Sequence, residues 1–552
     1  MRRGPLLVVI GLLAIAVVLP ITGGELGFGS ASASPSAPAT RPSVAPSPST
    51  GTDTSSGATA SPSAAPASPS ASPSATAVAP GPPEEIAIVP VTQYRSTATA
   101  TSRKEVADVL AGKSTRYEAL ELVSGETDEI LAALGAERPS DASRLVEAAS
   151  AKALSADLAK HRKRLAFLRA DAVGPSVRAL AWGDKTLFGV GRITDLAAWP
   201  LTATLPAAAA GTAFDAGATW TLFAGGDIML DRGVAQTLKI KGKGADFPFD
   251  GGTADITSRY CCSSFGWDLP RTVRTGGAGS MRDLIEGADL AIANFENPAP
   301  NTFRYHTSGT VFSADPKLIK GLANAGIDWV GLANNHIGDA GGAGITQTIK
   351  NLKTYGIASS GAGKDLTAAR KPAMLKTHGV TVAMLAYDTI AGYYAAGKTK
   401  AGSAKLTAKT VKADVAAARK TGADVVIVFP HWGTEYDPTP FAGQKALAQA
   451  AIDAGADMVI GNHSHWAGAV QVYKGKPIWY ALGNFVFDQT WSEPTMGGVT
   501  LELTFRGKAL VQARMRPHII LDKAQPNLLD PAGDGRVVTG QVYDASKGLL
   551  PW

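Results

Sequence analysis

Six side chains suited to holding a divalent metal recur at matching points of this sequence: Asp227, Glu296, Asn335, His431, His463 and His465. Four copies of one pattern set the match: "EGADLAIANFEN", "AGIDWVGLANNH", "TGADVVIVFPHWG" and "AGADMVIGNHSH". Each copy runs Gly, a small or apolar residue, Asp, an apolar stretch, then polar residues. Seven positions after Asp289 stands Glu296, seven after Asp328 stands Asn335, seven after Asp424 stands His431, and six after Asp457 stands His463. A fifth run, "TWTLFAGGDIML", brings Asp227 to an equivalent place. Imidazole, carboxylate and amide oxygen together suit borderline divalent ions such as Mn, Zn, Fe or Ni. No thiolate belongs to the set, which argues against a closed structural zinc site. Six ligands exceed one tetrahedral shell. They fit two ions sharing a carboxylate, an arrangement that clamps the attacking and leaving oxygens of a phosphoryl displacement.

The elements that position these groups follow from the same pattern. A helix closes at the Gly, the Asp opens a buried strand, and the polar residues lie in the loop beyond the strand's carboxyl end. In "FAGQKALAQAAIDAG", Ala446, Leu447, Ala450, Ala451 and Ala454 share one helical face. In "DPKLIKGLANAG", Pro316 suits a first helical position. Nearly continuous apolar strands are covered on both faces, and their alternation with helices predicts an α/β layered fold. Sites in such sheets lie beyond the carboxyl ends of the strands. A lone His at an apolar strand end is more often structural than a ligand. Here four of the eight histidines (336, 431, 463 and 465) fall at such ends beside two carboxylates and an Asn, which favours a metal site. His161, His306, His378 and His518 lack such company and read as solvated or structural.

The motifs "GGDIMLDR", "ANFENP", "LANNHIGDAG", "FPHWGTEY", "IGNHSHW" and "WYALGNFVFDQ" occur in order between Gly225 and Gln489. On these the domain resembles the CapA (poly-γ-glutamate biosynthesis, capsule synthesis) family, a branch of the calcineurin-like metallophosphoesterases. The resemblance implies a layered sandwich of two central sheets flanked by helices, and one or two divalent ions. It implies Asp227 and His465 on a first metal, Glu296 as the bridge, and Asn335, His431 and His463 on a second. His336 takes the position that meets the substrate or leaving group, with Asp339 orienting it. Arg232 pairs either with a substrate oxygen or in a surface salt bridge. Asn484, Asp488 and Gln489 either support the ligands or cap a strand end. Met229 stands where the superfamily usually has the His of Asp-x-His, so the first metal has one imidazole fewer. Asn462 stands where the family often has a further His. The implied partners are an anionic polymer or phosphoester substrate and a membrane-embedded polymer-synthesis machinery. A secreted phosphodiesterase or nucleotidase, and a non-catalytic wall-attached binding module, are the alternatives.

Length and composition frame this site. The chain has 552 residues, with 53 Lys+Arg against 47 Asp+Glu for a net charge of +6. That mild excess, with no basic run or nucleic-acid motif, argues against nucleic acid as a partner. Arg2 and Arg3 precede an uncharged apolar run, so residues 1–29 read as a signal peptide or a membrane anchor. Residues 30–83 are almost wholly Ala, Ser, Pro, Thr and Gly and read as a disordered stalk. This pair of features places the rest of the chain outside the cytoplasmic membrane. A small α/β domain is expected over 84–201, with "IAIVPV" and "TLFGVGRI" β-like and "DEILAALGA" and "SRLVEAASAKALSADLAKHRKRLAFL" helical. It carries no chemical motif and serves either as a ligand-binding module or as a spacer. A linker over 202–217, the large domain over 218–520 and an extended tail over 521–552 complete the expected order. The adjacent Cys261 and Cys262 match no zinc pair and read as a local pair in a loop.

Overall fold

The computed structural model describes residues 82–207 and 213–552. The expected export segment 1–29, residues 30–81 of the expected stalk and residues 208–212 of the expected linker lie outside the described residues. No helix among the described residues is long and apolar enough to cross a membrane.

The first domain is built on a six-stranded sheet in the order Leu145–Ala148, Ala119–Val123, Arg164–Arg169, Pro83–Gln93, Val177–Ala179, with Thr202–Pro206 also paired to Pro83–Gln93. Two expectations are corrected here. The stretch read as one long helix divides into the strand Leu145–Ala148, the helix Ala151–Leu158 and the strand Arg164–Arg169. Ser150 divides it by accepting from the Ala153 N–H as an N-cap, and the burial of Leu165–Leu168 draws the downstream half into the sheet. "TLFGVGRI" forms turns instead of a strand. The first five residues of the expected linker are a sheet strand.

The second domain carries the repeated pattern in two facing sheets. Its strands are β1 (Thr219–Ile228), β2 (Thr253–Tyr260), β3 (Leu269–Gly276), β4 (Leu290–Phe295), β5 (Trp329–Gly331), β6 (Ala358–Ser360), β7 (Val380–Asp388), β8 (Val425–His431), β9 (Met458–Ile460), β10 (Lys476–Trp479), β11 (Gly497–Arg506), β12 (Ala509–Leu521) and β13 (Gln525–Leu528). One ten-stranded sheet runs β3-β2-β13-β12-β11-β1-β4-β5-β6, with Asn484–Val486 beside β1. A six-stranded sheet contains β7-β8-β9-β10 in parallel. Trp329 of β5 meets Phe429 of β8 edge to face, with centroids 5.1 Å apart, inside the layer between the sheets. Such a pair adds about 0.5–1.5 kcal/mol beyond its buried area.

The repeated aspartates explain why counting from them works. Each carboxylate accepts a backbone N–H from the neighbouring parallel strand: Asp289 from Thr221, Asp328 from Ala291, Asp424 from Thr381 and Asp457 from Val426. Each Asp N–H donates to the carbonyl of the same residue. The Asp therefore pins the register at the amino end of its strand, and a similar run of chain from there places the ligand at or beyond the carboxyl end. Gly226 of "GGD" is required by a close approach, because a Cβ there would run into the Gly483 carbonyl.

The expected extended tail is instead folded. Gln525–Leu528 joins the large sheet and Gly535–Ala545 is a helix. Val538 and Val542 of that helix bury against the core, so tertiary packing overrides a sequence of modest helix propensity. The two domains meet along β11 and β12: Gln512 of β12 spans Ala179 N–H and the Val177 carbonyl, and buried Glu502 of β11 accepts from Val190 N–H and pairs with Arg516 at 2.6 Å. Cys261 and Cys262 stand bonded to each other at the tip of the β2–β3 hairpin.

Candidate metal centre

The carboxyl ends of β1, β4, β5 and β8, and the loop after β9, converge as the spacing requires. Two ligand groups result, Asp227–Glu296–His465 and Glu296–His431–His463, each with its donor atoms within 4.8 Å of one another, and Glu296 belongs to both. His431 Nε2 stands 2.8 Å from Asn335 Oδ1, 3.0 Å from His463 Nδ1 and 3.6 Å from Glu296 Oε1. His465 Nε2 lies 3.9 Å from Glu296 Oε1, and its Nδ1 lies 3.7 Å from Asp227 Oδ2. All six sequence-derived ligands are therefore together. His463 and His465 both adopt positive φ, 98° and 57°, which turns two rings from one short loop into the same cavity.

The decisive observation concerns Glu296. It is fully buried, and both its carboxylate oxygens find no hydrogen-bond partner among the described residues. A buried carboxylate left in this state is costly unless a cation meets it. The donor set around it supplies imidazole and carboxylate of the kind that holds a divalent ion. The residues thus fit a divalent metal centre, with Glu296 common to both ligand groups.

Burial also sets the protonation pattern. Desolvation raises Asp227 to about 7. Burial first, then the adjacent Asp227 and Glu435 carboxylates, push Glu296 well above its ordinary range. Desolvation lowers His463 and His465 to about 3 each, and drives His431 well down, so the imidazoles stay neutral and ready to ligate. A metal must displace the carboxyl protons, whereas the histidines have none to lose near neutrality. Apparent metal affinity should therefore rise as pH climbs through about 7, where Asp227 gives up its proton, and fall as pH drops below it. Calorimetric Mn titration between pH 5.5 and 8.5 reads this slope, and a flat profile would contradict the arrangement.

Supporting groups complete the site. His465 Nδ1 donates to Asn484 Oδ1 at 2.9 Å, which leaves Nε2 facing Glu296. Asn484 is held in turn by the Thr495 carbonyl, and its own carbonyl accepts from His518 Nε2. Asn484 thus supports a ligand, and His518 is a structural histidine at one remove. His336 Nδ1 donates to Asp339 Oδ2 at 2.9 Å, and Asp339 also accepts from Phe312 N–H and Tyr394 OH. Arg232 is committed: Nη2 bonds Asp488 at 2.5 Å, Nη1 bonds the Gly309 carbonyl, and the guanidinium lies 4.7 Å over Phe312. Its Nε is buried without a partner among the described residues. Met229 is buried in an apolar cluster, its sulfur accepting from Asp231 N–H.

Two contributors have no counterpart in the sequence reading. Asn294 Nδ2 donates to Asp227 Oδ1 at 2.7 Å and lies 3.1 Å from His431 Nδ1, tying the two ligand groups together. Its signal is a polar residue inside an otherwise apolar strand. Asp231 is fully buried and accepts from Ser313 N–H, His306 N–H and the His306 ring, anchoring both ends of the loop that carries Phe312.

Residues 221–489 match the family described as bacterial capsule synthesis protein PGA_cap. The chain is 33% identical to the capsule biosynthesis protein CapA of Bacillus anthracis, over 48% of this chain and 66% of that one. It is 32% identical to the PGA biosynthesis protein CapA of Bacillus subtilis strain 168, over 47% of this chain and 68% of that one. Identity to a probable polyglutamine synthesis accessory protein of Mycobacterium tuberculosis is 31%, over 49% and 74%. Among solved structures, the calcineurin-like phosphoesterase YfkN from Bacillus subtilis is similar at 12% identity and a TM-score of 0.32, over 60% of this chain and 98% of that one. With more than two thirds of two such relatives matched above 30% identity, the chain belongs to the bacterial capsule synthesis (CapA) family.

Proposed function

We propose that this protein acts outside the cytoplasmic membrane in the synthesis or processing of poly-γ-glutamate or a related anionic envelope polymer, through a metal-dependent hydrolase-type site. The family supplies the polymer class. The buried, unpartnered carboxylate of Glu296 between two ligand groups carries the hydrolase reading. The Arg2–Arg3 start, the apolar run and the Ala/Ser/Pro/Thr stretch support the location. A membrane-embedded polymer synthase is the fitting partner for a chain so placed.

When bound, the divalent ions polarise a phosphoryl or carbonyl oxygen and neutralise charge developing on it. The chain's own residues do the rest. Glu296 holds the two ligand groups in one frame, and Asn294 and Asn484 fix the orientation of Asp227 and His465. Asp339 keeps the His336 proton on Nδ1, so Nε2 is the atom that exchanges a proton with a departing group. Phe312, 4.1 Å from the His336 ring, limits its motion and its contact with water.

The test is metal-dependent cleavage by the purified full-length chain, read on poly-γ-glutamate by polymer length and on a model phosphodiester by product release. His431→Ala should abolish both. Activity that persists in His431→Ala after its metal is gone would overturn the reading. Equal binding of poly-γ-glutamate with and without metal, and no cleavage, would make the protein a binding module.

A further inference from the structure

The β2–β3 hairpin is pinned to the body of the domain by a two-pronged ion pair of Arg259 with Glu493, at 2.6 and 2.7 Å. Its tip, residues 261–268, exposes Phe265 (70%) and Trp267 (42%), large rings that folding alone would hide. Both lie at the end of a continuous aromatic path from the metal centre. Tyr436 stacks on the ligand His465, with centroids 5.9 Å apart and planes 28° from parallel. Trp491 lies 4.8 Å from Tyr436, and Phe265 5.3 Å from Trp491. On a second branch Trp466 lies 6.4 Å from Tyr436, and Trp267 5.7 Å from Trp466. Tyr436 is held at φ 63°, a conformation that bulky residues rarely adopt and that tends to mark functional positions. Trp466 Nε1–H is buried with no partner among the described residues.

We infer that this shelf is a subsite for a neutral sugar ring of a glycan, leading into the metal centre. Charge decides against an anionic chain here. The shelf's neighbours Glu435, Asp437 and Asp268 are acidic; of the hairpin's guanidinium groups, Arg259 is paired with Glu493 and Arg271 lies over the Tyr260 ring. Geometry decides against a flat base. Successive rings from Tyr436 outwards meet at 57–88°, so no two parallel faces form a slot. A pyranose needs only one aromatic face for its C–H bonds, because the ring's π-face is electronegative. Its hydroxyls then need donors and acceptors at the rim. Glu435 and Asp437 are exposed acceptors beside the shelf. That the ring lies next to reacting atoms rests on the function proposed above; the shelf itself does not.

The experiment titrates the full-length chain with neutral cellohexaose and N-acetylglucosamine hexamer, read by tryptophan fluorescence and calorimetry, in wild type and in metal-free Glu296→Gln. Saturable binding is expected in both forms, so the shelf can succeed where the metal reading fails. Trp267→Ala and Phe265→Ala, both at an exposed tip, should each weaken binding at least tenfold, and Trp267→Phe should keep most of it. No saturable binding by wild type, or binding unchanged in Trp267→Ala, would overturn the inference. So would tighter binding of AMP or poly-γ-glutamate than of either sugar at a site that Trp267→Ala removes.

Discussion

On the proposed function, replacing Glu296 by Gln should abolish metal binding and metal-dependent cleavage together. The substitution preserves size and hydrogen-bonding shape but removes the charge shared by the two ligand groups. Loss of a partner one step removed from a metal typically costs 10–100-fold in affinity or activity, so loss of the shared carboxylate should exceed about 100-fold. Stability should move the other way in the metal-free protein. Glu296 is buried with no partner for either oxygen, and burial already disfavours its charge. A neutral amide there relieves that cost, so apo Glu296→Gln should unfold at or above the temperature of apo wild type. Metal should raise the wild-type transition and leave the variant's unchanged. A variant that keeps wild-type metal content would show that Glu296 is not the bridge.

Removing the Glu502 carboxylate should loosen the joint between the two domains. Glu502 is 2% exposed, pairs with Arg516 at 2.6 Å, lies 3.8 Å from Arg514 and accepts from Val190 N–H at 2.7 Å. Burial works against its charge, yet Arg516 and Arg514 hold its carboxyl below the ordinary value. Taking one partner from such a group strands the others, at a cost of about 3–5 kcal/mol. The cost should appear locally. Arg514 also donates to the Ala179 carbonyl, and Gln512 beside it clasps Val177 and Ala179. Amides of Val177, Ala179 and Val190 in Glu502→Ala should therefore exchange with solvent about 100-fold faster or more, consistent with a local opening cost lowered by about 3 kcal/mol. Protection equal to wild type would mean that the joint is held by its apolar contacts alone.

Legibility followed the range over which each feature is specified. Glu296, Asn335, His431 and His463 are readable because each lies six or seven residues after a Gly-x-Asp start, a local landmark. The hydrogen bonds of Asp289, Asp328, Asp424 and Asp457 to their neighbouring strands are the physical form of that landmark. Asn294 is local too, two residues before Glu296, but its partners Asp227 and His431 are distant in sequence, so its role emerges only on folding. The division of residues 145–169 turns on a single cap, Ser150, in a stretch whose Ala and Leu residues suit a helix throughout. The C-terminal helix fails as a sequence signal because Val538, Thr539 and Val542 favour it only once buried. The aromatic path has no sequence signal at all, since its rings come from four separate loops.

Metal stoichiometry tests the central claim most directly. The purified chain, stripped by chelator, reloaded with Mn or Zn at pH 8 and freed of excess, should carry two equivalents by elemental analysis. Asp227, Glu296 and His465 account for one, and Glu296, Asn335, His431 and His463 for the other. One equivalent would contradict the shared-carboxylate pair, and none would contradict the metal centre altogether.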